Sequence, residues 1–175
     1  MLLALIRYSM TIVIDNKQKP EKKIGEAVGL EMAAQKAVEE LGSRGLLDIG
    51  EMKSKLERMR KEANNHQMDL EQLVQKLSES EGLNTSNIQD TAKETEQKAS
   101  EIMKTYLGEN PDSAEAIEFL CLAEGGEVVH YEVLNTMAKT IKNRQFSTKV
   151  KSILEDEQKH LKLCTRLAKQ TATSE

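Results

Sequence analysis

Residues 117–141 read IEFLCLAEGGEVVHYEVLNTMAKTI. Alternating steps of three and four pick out Ile117, Leu120, Glu124, Glu127, Tyr131, Leu134, Ala138 and Ile141, the spacing of one helix face turned toward a core. Two carboxylates interrupt this apolar stripe one turn apart. A later stripe, Phe146, Val150, Ile153, Glu157, His160, Cys164 and Leu167, is interrupted the same way by a Glu-x-x-His pair. An unpaired buried charge costs about 3–5 kcal/mol, and a whole domain is stable by only about 5–15 kcal/mol. Ionisable groups on facing stripes therefore need a common partner, and a metal ion satisfies several at once.

Two further helices are legible upstream. The first covers residues 21–41, with the stripe Ile24, Ala27, Glu31, Ala34, Val38 and Leu41, and ends at Gly42 and Gly45. The second opens on an Asp48-x-x-Glu51 capping box, with Leu47 and Met52 placed as a hydrophobic staple. Its stripe is Met52, Leu56, Met59, Ala63, His66, Leu70, Leu73 and Leu77, and it stops near Gly82. One carboxylate, Glu31, and one imidazole, His66, lie inward; Glu62 sits on the shoulder beside Ala63.

Residues 82–111 form the connection to the second pair of helices. A Ser86-x-x-Gln89 capping box and the thin stripe Ile88, Ala92, Thr95, Ala99, Ile102 and Tyr106 predict a helix across the outside of the bundle, ended by Gly108. The third bundle helix starts at an Asp112-x-x-Glu115 box. A turn at 143–145 leads to the fourth, over 147–169.

Composition narrows the classes. The 175 residues are 31% charged and 3% aromatic, with no Trp and two Pro, which favours helices over a β-sandwich. A net charge of −4 argues against a dedicated nucleic-acid binder, and the basic stretch 17–23 is the sole candidate for a DNA-binding tail. Cys121 and Cys164 form no Cys-x-x-Cys, so neither a zinc ribbon nor a disulfide framework is indicated. Nothing demands an oxidising compartment, and the expectation is a cytoplasmic protein. Residues 1–14 are apolar but too short for a membrane span and lack the charged start of a signal peptide. They read as an extension, with Met10 as an alternative start and 11–14 as a short strand or oligomer contact. The expected domains are a 1–20 extension and linker, a bundle over 21–171, and a frayed tail at 172–175.

Two helical hairpins joined by one long crossover make the ferritin-like variant of the four-helix bundle. The halves echo each other, since Glu31 precedes His66 by 35 residues and Glu127 precedes His160 by 33. A carboxylate-bridged di-metal site takes a Glu from each of two helices and Glu-x-x-His from the other two. Residues three apart share a face, so carboxylate and imidazole can reach one centre. Oxygen and imidazole ligands suit iron or manganese. The candidate ligands are Glu31, His66, Glu124, Glu127, Glu157 and His160.

Glu124-x-x-Glu127 followed by Glu157-x-x-His160 resembles the rubrerythrin-like branch of the ferritin-like superfamily, over a span from about Ile24 to Leu167. That resemblance implies a non-haem di-iron site, chemistry with dioxygen or peroxide in oxidative-stress defence or iron handling, and a homodimer or larger shell. An electron donor is required, and no residue names it. The departure lies three residues before His66, where Ala63 stands in place of Glu. Glu62 is one residue away and roughly 100° around the helix. Either a local wide turn brings it inward, or Glu124 supplies the carboxylate, or the site is degraded. Glu124 needs no helix distortion and is the preferred replacement. The alternative reading is a non-catalytic helical bundle that acts by oligomerisation or partner binding, with a vestigial site. His130 lies about 80° off its stripe, as a group outside the ligand set. Tyr131 packs in the core and can also bond a ligand carboxylate. Gly125 and Gly126 lie outward and suggest local unwinding or close approach of the crossover helix.

Overall fold

The computed structural model describes residues 18–141 and 143–173, which form five helices and no strand. They are α1 (Gln18–Ser43), α2 (Met52–Glu81), α3 (Thr85–Leu107), α4 (Ser113–Ala138) and α5 (Arg144–Thr171). Residues 1–17 and 174–175 lie outside the described residues, and with them the expected strand or contact at 11–14 and most of the N-terminal extension. Residues 18–20, read as linker, belong to α1 instead. Pro20 falls in the first turn, where a missing N–H removes no helical hydrogen bond.

Three helix starts are fixed by side chains that accept the free amides of the first turn. Asp112 and Glu115 form the expected reciprocal box: Glu115 N donates to Asp112 Oδ1 at 2.8 Å, and Asp112 N donates to Glu115 Oε2 at 3.0 Å. The other two expected boxes are absent. Asn84, in extended conformation, caps α3 by accepting from Ser86 N and Asn87 N, so Ser86 lies inside the helix it was expected to open. Glu51 has helical backbone angles and makes no side-chain cap, and Asp48 pairs with Lys53 at 2.7 Å. Tight turns through Gly45 and Gly50, both at positive φ, deliver the chain to α2 in that conformation. Leu47 and Met52 are nonetheless buried in one cluster. Asn143 accepts from Phe146 N and starts α5 three residues earlier than its stripe suggests.

α1 packs on α2, α3 and α4, α4 packs on α5, and α5 also meets α2. The closest of these contacts is α1 with α3, and two glycines allow it. A Cβ at Gly25 would lie 2.6 Å from the Ile88 carbonyl oxygen and 2.7 Å from Thr91 Cβ; one at Gly29 would meet the Ala92 carbonyl and Thr95 Cβ. Glu21 ties the same two helices at their ends, accepting from Asn84 N at 2.7 Å and Asn87 Nδ2 at 3.0 Å. The close approach assigned to Gly125 and Gly126 is therefore made on α1. α4 runs unbroken, Gly125 meets only Leu161 at 4.0 Å, and Gly126 faces open space.

The buried line on α3 also departs from expectation. It starts at Ile88 and Ala92 but continues through Met103 and Leu107, while Ile102 and Tyr106 are exposed. Ile88 and Ala92 join a cluster with Ile24 and Val28 of α1, whereas Met103 and Leu107 join one with Phe119 and Leu120 of α4. As α3 passes from one neighbour to the next, its inward face slips by one residue. These two apolar clusters hold every buried apolar side chain described except Ala63, and each takes residues from all five helices. The next site lies between them.

Candidate metal centre

The gap between the clusters is filled by ionisable side chains, one or two from each of α1, α2, α4 and α5. Glu31, His66, Glu124, Glu127, Glu157 and His160 are all at least nine-tenths buried. Each continues the inward face of its helix: Val28 then Glu31, His66 then Leu70, Leu120 then Glu124 and Glu127, Leu154 then Glu157 and His160. Among the described residues no Lys or Arg is buried with them, so the carboxylates have no fixed cation.

Glu157 is at the middle. His66 Nδ1 lies 3.0 Å from its Oε1, and His160 Nδ1 lies 3.3 Å from its Oε2. The two imidazoles thus approach one carboxylate from either side, with rings 6.1 Å apart and nearly parallel. Glu31 Oε1 is 3.4 Å from His66 Nδ1, and Glu124 Oε2 is 3.8 Å from His160 Nδ1. Two groups of potential ligands result, Glu31–His66–Glu157 and Glu124–Glu157–His160, each with its ligand atoms within 4.8 Å of one another. Either group could hold a metal ion, and Glu157 belongs to both. Glu127 is buried beside them but joins neither group.

The outer nitrogens of the two rings face carboxylates on the opposite helix. His160 Nε2 lies 2.7 Å from Glu62 Oε2 on α2, and His66 Nε2 lies 3.6 Å from Asp156 Oδ2 on α5. A carboxylate on one ring nitrogen fixes the tautomer and turns the other nitrogen toward a metal. The Glu62 side chain is 45% exposed, so it stands behind His160 and outside the buried layer. Asp156 has no counterpart among the expected residues. The signal for it was the echo between halves: it precedes Glu157 as Glu62 precedes Ala63. Tyr131 donates to Glu31 Oε1 at 2.6 Å. His130 is elsewhere, its Nε2 3.0 Å from the Lys23 carbonyl oxygen, linking α4 to the start of α1. Cys164 is buried against Met59.

Protonation in the metal-free layer follows from burial and crowding. Burial pushes Glu31 up to about 7, against the opposing pull of His66. Burial, reinforced by the Glu157 charge, holds Glu124 and Glu127 well above the usual carboxylate range. Glu157 goes the other way: burial disfavours its charge, but His160 and His66 bring it down to about 2. Burial opposes charging the rings too, yet Glu157 and Glu31 raise His66 to about 10, and Glu157, Glu124 and Glu62 raise His160 to about 9. Near neutral pH the rings therefore carry protons where a metal would bind, and binding must release them.

The same layer contains oxygens with nothing to bond. Glu31 Oε2, Glu124 Oε2 and Glu127 Oε2 are buried without a hydrogen bond; Glu157 Oε1 and His66 Nδ1 make none either, but they face each other as an ion pair. Buried polar atoms are nearly always satisfied, and three unpaired carboxyl oxygens beside two imidazoles are what cation binding would relieve. The donor set suits a first-row divalent ion. No family model, curated protein or solved structure matches the chain. No described helix is long and apolar enough to cross a membrane.

Proposed function

We propose that α1, α2, α4 and α5 form a ferritin-like four-helix bundle with α3 in its crossover. In this reading the polar layer holds two iron ions and acts on peroxide or dioxygen. The observation that carries it is the sharing of Glu157 between two buried ligand groups. Two ferrous ions supply the electron pair that reduction of peroxide or dioxygen consumes. The chain does the rest. Glu157 spans the two positions, with His66 on one side and His160 on the other. Glu62 holds the outer nitrogen of His160, and Asp156 stands near that of His66. Tyr131 occupies one oxygen of Glu31 and leaves Oε2 for a cation. Glu124, buried against His160, takes the place of the carboxylate that Ala63 lacks, in preference to the half-exposed Glu62. The apolar clusters above and below keep water out, which strengthens every charge interaction between them.

Ala63 favours a second reading. It leaves α2 one carboxylate short, and the two protonated imidazoles already offset part of the layer's negative charge, as expected of a non-catalytic bundle with a vestigial site. Anaerobic reconstitution with ferrous or manganous ions, followed by elemental analysis and a peroxide-consumption assay, separates the two. The di-metal reading expects two ions per chain and turnover with iron. A chain that retains neither metal belongs to the second reading.

A further inference from the structure

One pocket reaches the polar layer from outside. It holds about 320 Å³, at the small end of ligand pockets, which run roughly 300–1,000 Å³. Its walls come from α1, α3 and α4, and they include a run of short side chains: Ala33, Ala34 and Ala37 on α1, and Ala99 on α3. Exposed Ile102 and Leu122 also line it. At the polar layer its lining includes Glu124 and Glu127, its only charged residues.

Small residues alone would make only a gap between helices. The two carboxylates make a site. Each is 2% exposed, and each has a buried Oε2 with no hydrogen bond. The pocket therefore combines an apolar passage with two carboxyl groups that each keep an oxygen without a partner. Water or hydrogen peroxide would satisfy these oxygens and waste the apolar walls. A hydrocarbon would suit the walls and leave the oxygens bare. An anion would lose its hydration and meet no Lys or Arg, since Glu124 and Glu127 are the only charged residues of the lining.

We propose that this pocket binds a small neutral molecule with an apolar body and a single O–H head, the head hydrogen-bonding to Glu124 or Glu127. Organic hydroperoxides are the members of this class that the proposed function would use as substrates, and the corresponding alcohols share the recognition chemistry. In naming a substrate class the proposal rests on the function above; the binding itself requires no metal.

The test uses the full chain, metal-free, with cumyl alcohol as a redox-inert probe and cumene as the same body without the head. Titrations are followed by amide chemical shifts and calorimetry. The expected result is saturable binding of the alcohol, with shifts at the Ala33, Ala34, Ala37 and Ala99 amides and weaker binding of cumene. Ala99→Leu, and separately Ala34→Leu, fill the passage and should weaken the alcohol at least about tenfold. Circular dichroism confirms that each variant is folded, and the second serves if the first is not. Iron stoichiometry, measured separately, should not change. Equal affinity for cumene and the alcohol overturns the proposal, as does unchanged binding in both folded variants, or no binding at all. A chain that binds the alcohol but no iron upholds the pocket and defeats the di-metal reading. One that binds iron but no alcohol does the reverse.

Discussion

The α1–α2 half and the α4–α5 half set matching positions around one layer, but they furnish them unequally. Glu31 answers Glu127, His66 answers His160, and Glu62 answers Asp156, yet Ala63 faces the role that Glu157 fills. The first half contributes one buried carboxylate and the second contributes three. The consequence is that Glu157 serves both imidazoles, and that the layer is richest in carboxyl groups on the α4 and α5 side. An asymmetric pair of ligand groups should load its two positions with different affinities, and each position should respond to a different substitution.

Glu157→Gln gives the largest expected effect. It removes the carboxylate common to both groups, so both ions should be lost, read as a fall from two to none in metal analysis. In the metal-free protein it also leaves two protonated rings short of their main partner, a loss of roughly 3–5 kcal/mol on the scale of a broken buried pair. Retention of one tight ion would show that the halves are independent after all.

Glu124→Ala against Glu62→Ala is the next discriminator. Glu124→Ala should empty the His160 position and leave the Glu31–His66 position occupied, giving one ion per chain. Glu62→Ala removes only the support behind His160 and should keep both ions, with affinity at that position lower by about 10–100-fold. The reverse pattern, with Glu62→Ala losing metal and Glu124→Ala retaining it, would make Glu62 the ligand.

The pH dependence of the metal-free protein should be opposite to that of the loaded one. Glu31, His66 and His160 have folded values above their ordinary 4.5, 6.5 and 6.5. Each therefore adds stability that is complete below its ordinary value and is lost as pH rises through about 7, 10 and 9 respectively. Glu157, lowered to about 2, adds stability that is present above 4.5 and is lost toward pH 2. Melting with a chelator should show an optimum near pH 5–6, roughly between these limits, and a decline toward pH 10. With metal bound, protons compete less as pH rises, so the gap between the two curves should widen. Parallel curves would mean that the metal does not bind at these rings.

Most of the helical arrangement is legible because it rests on repetition. Stripes of six to eight inward residues survive an error of one position at either end, so all five helices are found. What fails is what depends on one residue's backbone. Asp48 and Ser86 have the right spacing for caps, but turns upstream decide which residue arrives extended, and at α3 and α5 Asn84 and Asn143 take that place. α3 is misread in its second half because its neighbour changes along its length, which no single period reports. The buried layer is legible because charges in an apolar stripe are conspicuous. Asp156 is not, because it faces partly outward, like any solvated acid. Gly25 and Gly29 pass unnoticed for a similar reason: α1 has a good stripe without them, and only the neighbouring helix shows why they are small.

The smallest expected effects come from the glycines, and they sharpen the same contrast. Gly29 and Gly125 stand two residues before Glu31 and Glu127, but only the first has a helix pressed on it. Gly25→Ala or Gly29→Ala should destabilise by about 1–3 kcal/mol through overpacking. Gly126→Ala, facing open space in mid-helix, should stabilise by roughly 1 kcal/mol. Chemical denaturation reads both signs directly.

The clasp between α1 and α3 also bears on the order in which the protein assembles. Its Glu21–Asn84 bond closes a loop of 63 residues, while the α4–α5 turn is locked by a Ser147–Ala138 bond across 9. Loop-closure entropy makes the longer one dearer by about 1.7 kcal/mol. The α4–α5 hairpin should therefore already be native-like at the folding barrier, and α3 should dock after it. Loosening the clasp would then leave the folding rate almost untouched and appear as faster unfolding. In that sense Gly25 and Gly29 govern how long the native state lasts more than how quickly it is reached.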